Sequence, residues 1–120
     1  MKAILVAALL IAPLAAQAQQ YVRTTPASTT TTDASGTISA TNTFQKVLSS
    51  NVTRSGCTIQ NNGSHNMFVT ENRGLSGSSL TNSTILAPGG IYHCEVGGMV
   101  LTGEIDITGT AADAFYATQY

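Results

Sequence analysis

The chain has 120 residues, a formal net charge of −1, only 9% charged side chains and five Lys or Arg residues in all. Cations so few and so scattered form neither a phosphate-tracking stripe nor a polybasic membrane patch, so nucleic acid is not an expected partner. Two cysteines and two histidines leave little material for a metal centre.

The first twenty residues, MKAILVAALLIAPLAAQAQQ, have the three parts of a secretory signal. Lys2 is the positive start, residues 3–14 are the apolar stretch, and Ala16-Gln17-Ala18 is a small-x-small cleavage site. The apolar run is shorter than the roughly 20 residues of a membrane span. A retained N-terminal anchor is the competing reading, and no cysteine sits at the cleavage point to make a lipoprotein. Residues 1–18 are therefore read as a signal peptide, Gln19 as the mature start, and the compartment as secreted or periplasmic in a bacterium. After cleavage four basic residues (Arg23, Lys46, Arg54, Arg73) face six acidic ones (Asp33, Glu71, Glu95, Glu104, Asp106, Asp113).

Residues 19–35 contain a run of four threonines and almost nothing apolar after Val22. Such a stretch buries too little surface to offset its ordering entropy and is expected to be a flexible arm. A strand added to a neighbouring subunit and a carrier of O-linked sugar are the other roles open to it.

Residues 36–120 form the single folded domain. Turn signals recur every eight to twelve residues, the rhythm of an all-β sandwich or barrel. Candidate strands are 36–40, 45–49, 56–60, 67–70, 83–87, 91–96, 104–108 and 114–119. Asn61-Asn62-Gly63-Ser64 reads as a hairpin turn, Pro88-Gly89-Gly90 and Gly97-Gly98 as two more, and residues 72–78 as a longer glycine-rich loop. No segment past the signal keeps helical periodicity. The expected architecture is a small antiparallel β-sandwich of about seven or eight short strands. Alternation assigns Val47, Cys57, Ile59, Met67, Val69, Ile85, Tyr92, Cys94, Val96, Val100, Ile105, Ile107 and one face of the last strand to the core. That core is thin, so a disulfide, oligomerisation or both are expected to supplement it.

Export places Cys57 and Cys94 in an oxidising compartment, where an even count favours a bridge. Strand phase turns both thiols inward, as an inter-sheet bridge requires. Closing a loop of about 38 residues contributes roughly 4 kcal/mol in the chain-entropy model. Two buried free thiols remain the alternative. His65 and His93 stand at no metal-ligand spacing from the cysteines.

Catalytic motifs are missing: no G-x-S-x-G, phosphate-binding glycine loop, C-x-x-C or H-E-x-x-H occurs. No catalytic residue, metal or cofactor is expected. Glu104 and Asp106 fall on one strand face about 7 Å apart, near the range of inverting glycosidases. The stronger reading makes them solvent-facing charges that protect an edge strand. The aromatics Phe44, Phe68, Tyr92, Phe115, Tyr116 and Tyr120 offer core packing or a sugar-stacking platform. Sequons at Asn51, Asn62 and Asn82 are expected by chance in a chain this rich in Ser and Thr.

Several short stretches, taken in order, carry a family resemblance: GTI at 36–38, KVLSSN at 46–51, RSGCTIQNN at 54–62, MFV at 67–69, ILAPGGIY at 85–92, LTGEIDITG at 101–109 and the aromatic end AFYATQY. Together they resemble a small β-sandwich domain of tailed-phage and prophage virion-associated structural proteins. The resemblance implies a non-enzymatic structural or attachment module. The signal peptide and the pair Cys57 and Cys94 depart from that pattern together, as an exported version of the module would. The expected function is therefore an exported structural or binding module that acts through surface contacts, with a homo-oligomer as its expected state. The alternative is a secreted carbohydrate- or cell-surface-binding protein using exposed aromatics and the 72–78 loop. A small hydrolase built on Glu104 and Asp106 is a distant third.

Overall fold

The computed structural model describes residues 30–71 and 74–120, so residues 1–18, read as a signal peptide, and most of the expected 19–35 arm lie outside it. Two antiparallel sheets face each other across one core. In the first, β1 (Thr32–Asp33) and β2 (Gly36–Thr37) share one side of β11 (Ala114–Gln119), followed by β4 (Cys57–Asn61) and β7 (Ile91–His93). In the second the order is β3 (Gln45–Leu48), β10 (Ile105–Thr108), β5 (Met67–Glu71) and β6 (Thr84–Leu86). A two-stranded ribbon of β8 (Glu95–Val96) and β9 (Met99–Val100) stands beside them. The only helical pieces described are two short 3-10 turns, Leu75–Gly77 and Leu80–Asn82. The fold is the expected small, antiparallel, all-β sandwich.

Alternating apolar positions build the core. Cys57, Ile59, Tyr92, Phe115 and Ala117 enter it from the first sheet. Leu48, Met67, Val69, Leu86, Ile105 and Ile107 meet them from the second, and Ile38 closes one side. Two residues assigned to the core from sequence are outside it: Ile85 is 59% exposed and Val96 56%. Thr84-Ile85-Leu86 contains two adjacent apolar residues, so alternation alone cannot choose between them. Pairing of Leu86 with Met67 decides, because residues directly opposite share a face. Val47 and Val100 are partly buried against the core.

Most turns carry the chain from one sheet to the other. The Asn61–Ser64 stretch is not a hairpin turn: β4 pairs with β11 and β7, never with β5. The chain arches across the sandwich there, and it does so again at residues 87–90 between β6 and β7. Buried Asn61 joins the two arches. Its side-chain amide donates to the carbonyls of His65 (2.7 Å) and Leu86 (2.9 Å), and its Oδ1 accepts from Gly63 N–H (2.9 Å). Gly97-Gly98 is a true two-residue hairpin, with φ of 59° and 83° at its two central positions. That pair of left-handed conformations is the I′ turn that matches strand twist and that glycine adopts without strain.

The N-terminal boundary also moves. β1 lies inside the segment expected to be a flexible arm, and its two residues pair with Gln119 and Thr118 at the end of β11. Between β1 and β2 the Ser35 hydroxyl takes the place of a backbone group: it accepts from Ala117 N–H at 3.0 Å, where the ladder is interrupted. A short polar strand of this kind gains its order from the neighbouring strand's hydrogen bonds, which composition does not report.

Candidate functional site

Cys57 and Cys94 are bridged. They lie in one sheet, however, and not between sheets. Thr58 of β4 opposes His93 of β7, so Cys57 and Cys94 are the next facing pair, with Cα atoms 5.3 Å apart. Both thiols do point into the core, where each residue is almost wholly buried. Alternation reports the face of a strand but not which strand stands beside it, so the direction was legible and the partner sheet was not.

Arg54 holds the same end of the sandwich. It is 4% exposed, with no carboxylate partner. Its Nε donates to Gln119 Oε1 (2.9 Å), one Nη to the carbonyls of Leu101 (2.8 Å) and Gly103 (2.9 Å), and the other Nη to that of Ser49 (2.7 Å). Desolvation pulls its pKa down, opposed in part by Tyr92. Sequence reasoning passed over this residue as one of four scattered cations. The one available signal was its position directly before Ser55-Gly56-Cys57, at the start of a buried strand.

The second sheet's outer face carries the most concentrated polar chemistry. Glu104 and Asp106 do not guard an edge, because β10 is an inner strand paired on both sides. Asp106 is 1% exposed and lies beneath residues 74–82. Ser78 Oγ is 2.9 Å from Asp106 Oδ2, 2.7 Å from Thr70 Oγ1 and 3.1 Å from the Gly74 carbonyl. Glu104 pairs with Lys46 at 3.6 Å. Burial pushes the Asp106 pKa up, and the neighbouring Glu104 adds to that. Asp106 is covered and engaged by Ser78, and Glu104 is engaged by Lys46, so the pair does not stand open as the two carboxyls of an inverting glycosidase do. The structure thus brings the Glu104 and Asp106 pair together with the described part of the 72–78 loop, residues 74–78, two features the sequence had offered separately.

Beside this cluster a cleft of about 190 Å³ is lined by Val69, Thr70, Glu71, Asn82 and Thr84. At its edge Tyr92 donates its hydroxyl proton to Glu71 from the opposite sheet. Burial, then that bond, pushes the Tyr92 pKa far above its ordinary value. The tyrosine stays neutral and serves as a cross-core tie.

At the 62–66 arch, Ser64, His65 and Asp113 come together. Both contacts of the imidazole use Nδ1: Ser64 Oγ at 3.2 Å and Asp113 Oδ2 at 3.0 Å. A nucleophile–base–acid relay needs the two ring nitrogens to serve different partners, so this is not one. Asp113 clamps the arch instead, accepting also from the amides of Ser64 and His65 (3.3 Å each). Partial burial pushes its carboxyl up, but the His65 ring and these amides together hold it below the ordinary carboxylate range. His93 faces Thr58 across the first sheet, far from this group in the pairing order.

The sheet edges complete the picture. Both sheet orders run the same way, so β6 and β7 border one side of the sandwich and the 87–90 arch joins them. Neither strand contains Lys, Arg, Asp or Glu, and each exposes an isoleucine: Ile85 at 59% and Ile91 at 52%. On the opposite side β3 carries Lys46 and β1 carries Asp33. On the first sheet's outer face, Tyr116 is 40% exposed beside Gln60, with Ile91 next in the row.

Among the described residues, no cluster of three or more His, Cys, Asp or Glu side chains is placed to hold a metal ion. None of the described helices is long and apolar enough to cross a membrane. Comparison of the chain with protein-family models, with curated proteins and with solved structures found no match.

Proposed function

We propose that this protein is a non-enzymatic structural module, exported to the periplasm or beyond, that works by edge-to-edge contact with further copies of itself. The observation that carries this reading is the open β6/β7 side. Uncharged edge strands with exposed isoleucines are templates for pairing, and proteins that stay monomeric block them with charge, proline or cover. Here the opposite side carries charge and this side does not. The bridge between Cys57 and Cys94 supports an oxidising compartment, and with it the signal peptide read from residues 1–18. The sequence resemblance to phage virion-associated sandwich domains fits the same role, an assembly part adapted to export.

Light scattering across a concentration series, on wild type and on Ile85→Lys/Ile91→Lys, tests the proposal. Both positions are exposed, so the charges leave the core intact. The expected result is an assembly in the wild type that the double variant dissolves to monomers. A wild type that is monomeric at every concentration contradicts it.

A second reading, glycan binding, is favoured by Tyr116, an exposed ring flanked by a Gln60 amide on a flat sheet face. Stacking of a sugar on that ring predicts glycan-array binding that Tyr116→Ser abolishes. A blank array with wild type removes this reading.

A further inference from the structure

Asp106 presents an unresolved electrostatic problem if it is ionised. One oxygen, Oδ2, accepts the Ser78 hydroxyl. The other, Oδ1, is fully buried and has no hydrogen-bond partner. A buried carboxylate oxygen left unpaired is strongly disfavoured, and such groups commonly take up a proton instead. The group beside it is another carboxyl, that of Glu104, whose Oε2 faces Lys46 at 3.6 Å. Two ionised carboxylates side by side repel. A proton on Asp106 removes that repulsion and relieves the orphaned oxygen.

We propose that Asp106 is protonated in the folded protein, and that this buried acid is a pH-sensitive latch holding residues 74–82 on the second sheet. The Glu104 carboxylate is balanced by Lys46. Asp106 Oδ2 receives the Ser78 hydroxyl, and Thr70 donates to Ser78. Nothing in residues 74–82 titrates. The other groups facing the pair are Lys46 from β3, and Glu71 at the end of β5, which is engaged by Tyr92. A divalent cation is the poorer occupant: two carboxylates, one already paired with a lysine, fall short of the six to eight oxygens that calcium takes.

The sign follows from the direction of the shift. A carboxyl whose folded-state pKa is raised stabilises the fold most below its ordinary pKa, and that contribution fades as pH rises through the folded-state value. The segment is thus tight in acid and loosens as pH rises through the folded-state pKa of Asp106.

Two measurements test the latch. The first is a carbon-detected NMR titration of the side-chain carboxyls in the wild-type protein. It is expected to show Asp106 titrating above the ordinary carboxylate range, with protection of the Gly77, Ser79 and Asn82 amides falling over the same pH interval. Ordinary titration of Asp106 overturns the proposal. The second is Asp106→Asn, which keeps an acceptor for Ser78 and stays uncharged at every pH. At neutral pH its melting temperature is expected to match or exceed wild type by up to about 4–8 °C, with the wild type's decline on raising the pH abolished. A lower melting temperature with an unchanged pH profile contradicts the latch. So does a wild-type melting temperature that calcium chloride raises and Asp106→Asn makes indifferent to it. If the variant does not fold, the wild-type titration decides alone.

Discussion

Arg54 and Asn61 are the two buried polar side chains that fasten backbone to backbone, and neither announces itself in the sequence. Arg54 donates to three carbonyls and one side-chain amide oxygen, drawn from three segments of the chain around Ser49, Leu101–Gly103 and Gln119. Replacing it with Met keeps much of its volume but orphans buried acceptors, each worth about 1–3 kcal/mol. Arg54→Met is therefore expected to lower stability by about 3 kcal/mol, measured by urea unfolding. Lys in its place recovers only part, because an ammonium lacks the fork that reaches Ser49 and Leu101 together. Gly63 illustrates a different constraint. A Cβ there would stand 2.5 Å from Asp113 Cβ and Cγ. Gly63→Ala thus pushes Asp113 out of its clamp on Ser64 and His65. Its expected signature is a lower melting temperature together with an Asp113 carboxyl that titrates closer to its ordinary value in NMR. A chain pattern exposes apolar alternation readily. It does not expose a lone arginine whose partners are mostly backbone, since carbonyls have no letter of their own.

At the scale of elements, every strand predicted between residues 36 and 119 has a counterpart. Those at 56–60, 83–87, 91–96 and 104–108 carry β-branched or aromatic residues and run directly into asparagine, proline or glycine. The connections were harder to read. An arch between sheets and a hairpin within one use the same turn residues, so Asn61-Asn62-Gly63-Ser64 looks identical in either role. β1 and β9 were missed because strands of two residues show no period. The polar outer face of β10 was misread for a related reason: alternation puts Asp106 opposite Ile105 and Ile107, but nothing local says that another segment will cover it. The bridge from Cys57 to Cys94 and the Arg54 hydrogen bonds tie down the same end of the first sheet. Cys94→Ser, which removes a cross-link spanning 37 positions, is expected to cost roughly 3–4 kcal/mol. Because Arg54 grips Leu101, whose amide also donates to the Cys94 carbonyl, the two losses are coupled. A double-mutant cycle of Arg54→Met and Cys94→Ser is expected to depart from additivity by at least about 0.5 kcal/mol. Strict additivity would place the two restraints in independent parts of the fold.

The whole molecule combines a thin core with three compensations: a disulfide, a buried arginine, and an open side that another copy can cover. The first makes sense only where thiols oxidise, which links the stability of the fold to its compartment. It also explains how so few large apolar residues suffice in a domain of this size, since small exported domains commonly substitute covalent closure for core volume. The proposed role in assembly depends on the open side and the proposed setting depends on export, so the setting comes first. The most direct measurement is the intact mass of the protein recovered from the exported fraction of an expressing bacterium. The account predicts a chain beginning at Gln19 and lighter than its reduced form by the two hydrogens that bridging Cys57 and Cys94 removes. A chain that stays in the cytosol, begins at Met1 and carries two free thiols would contradict it.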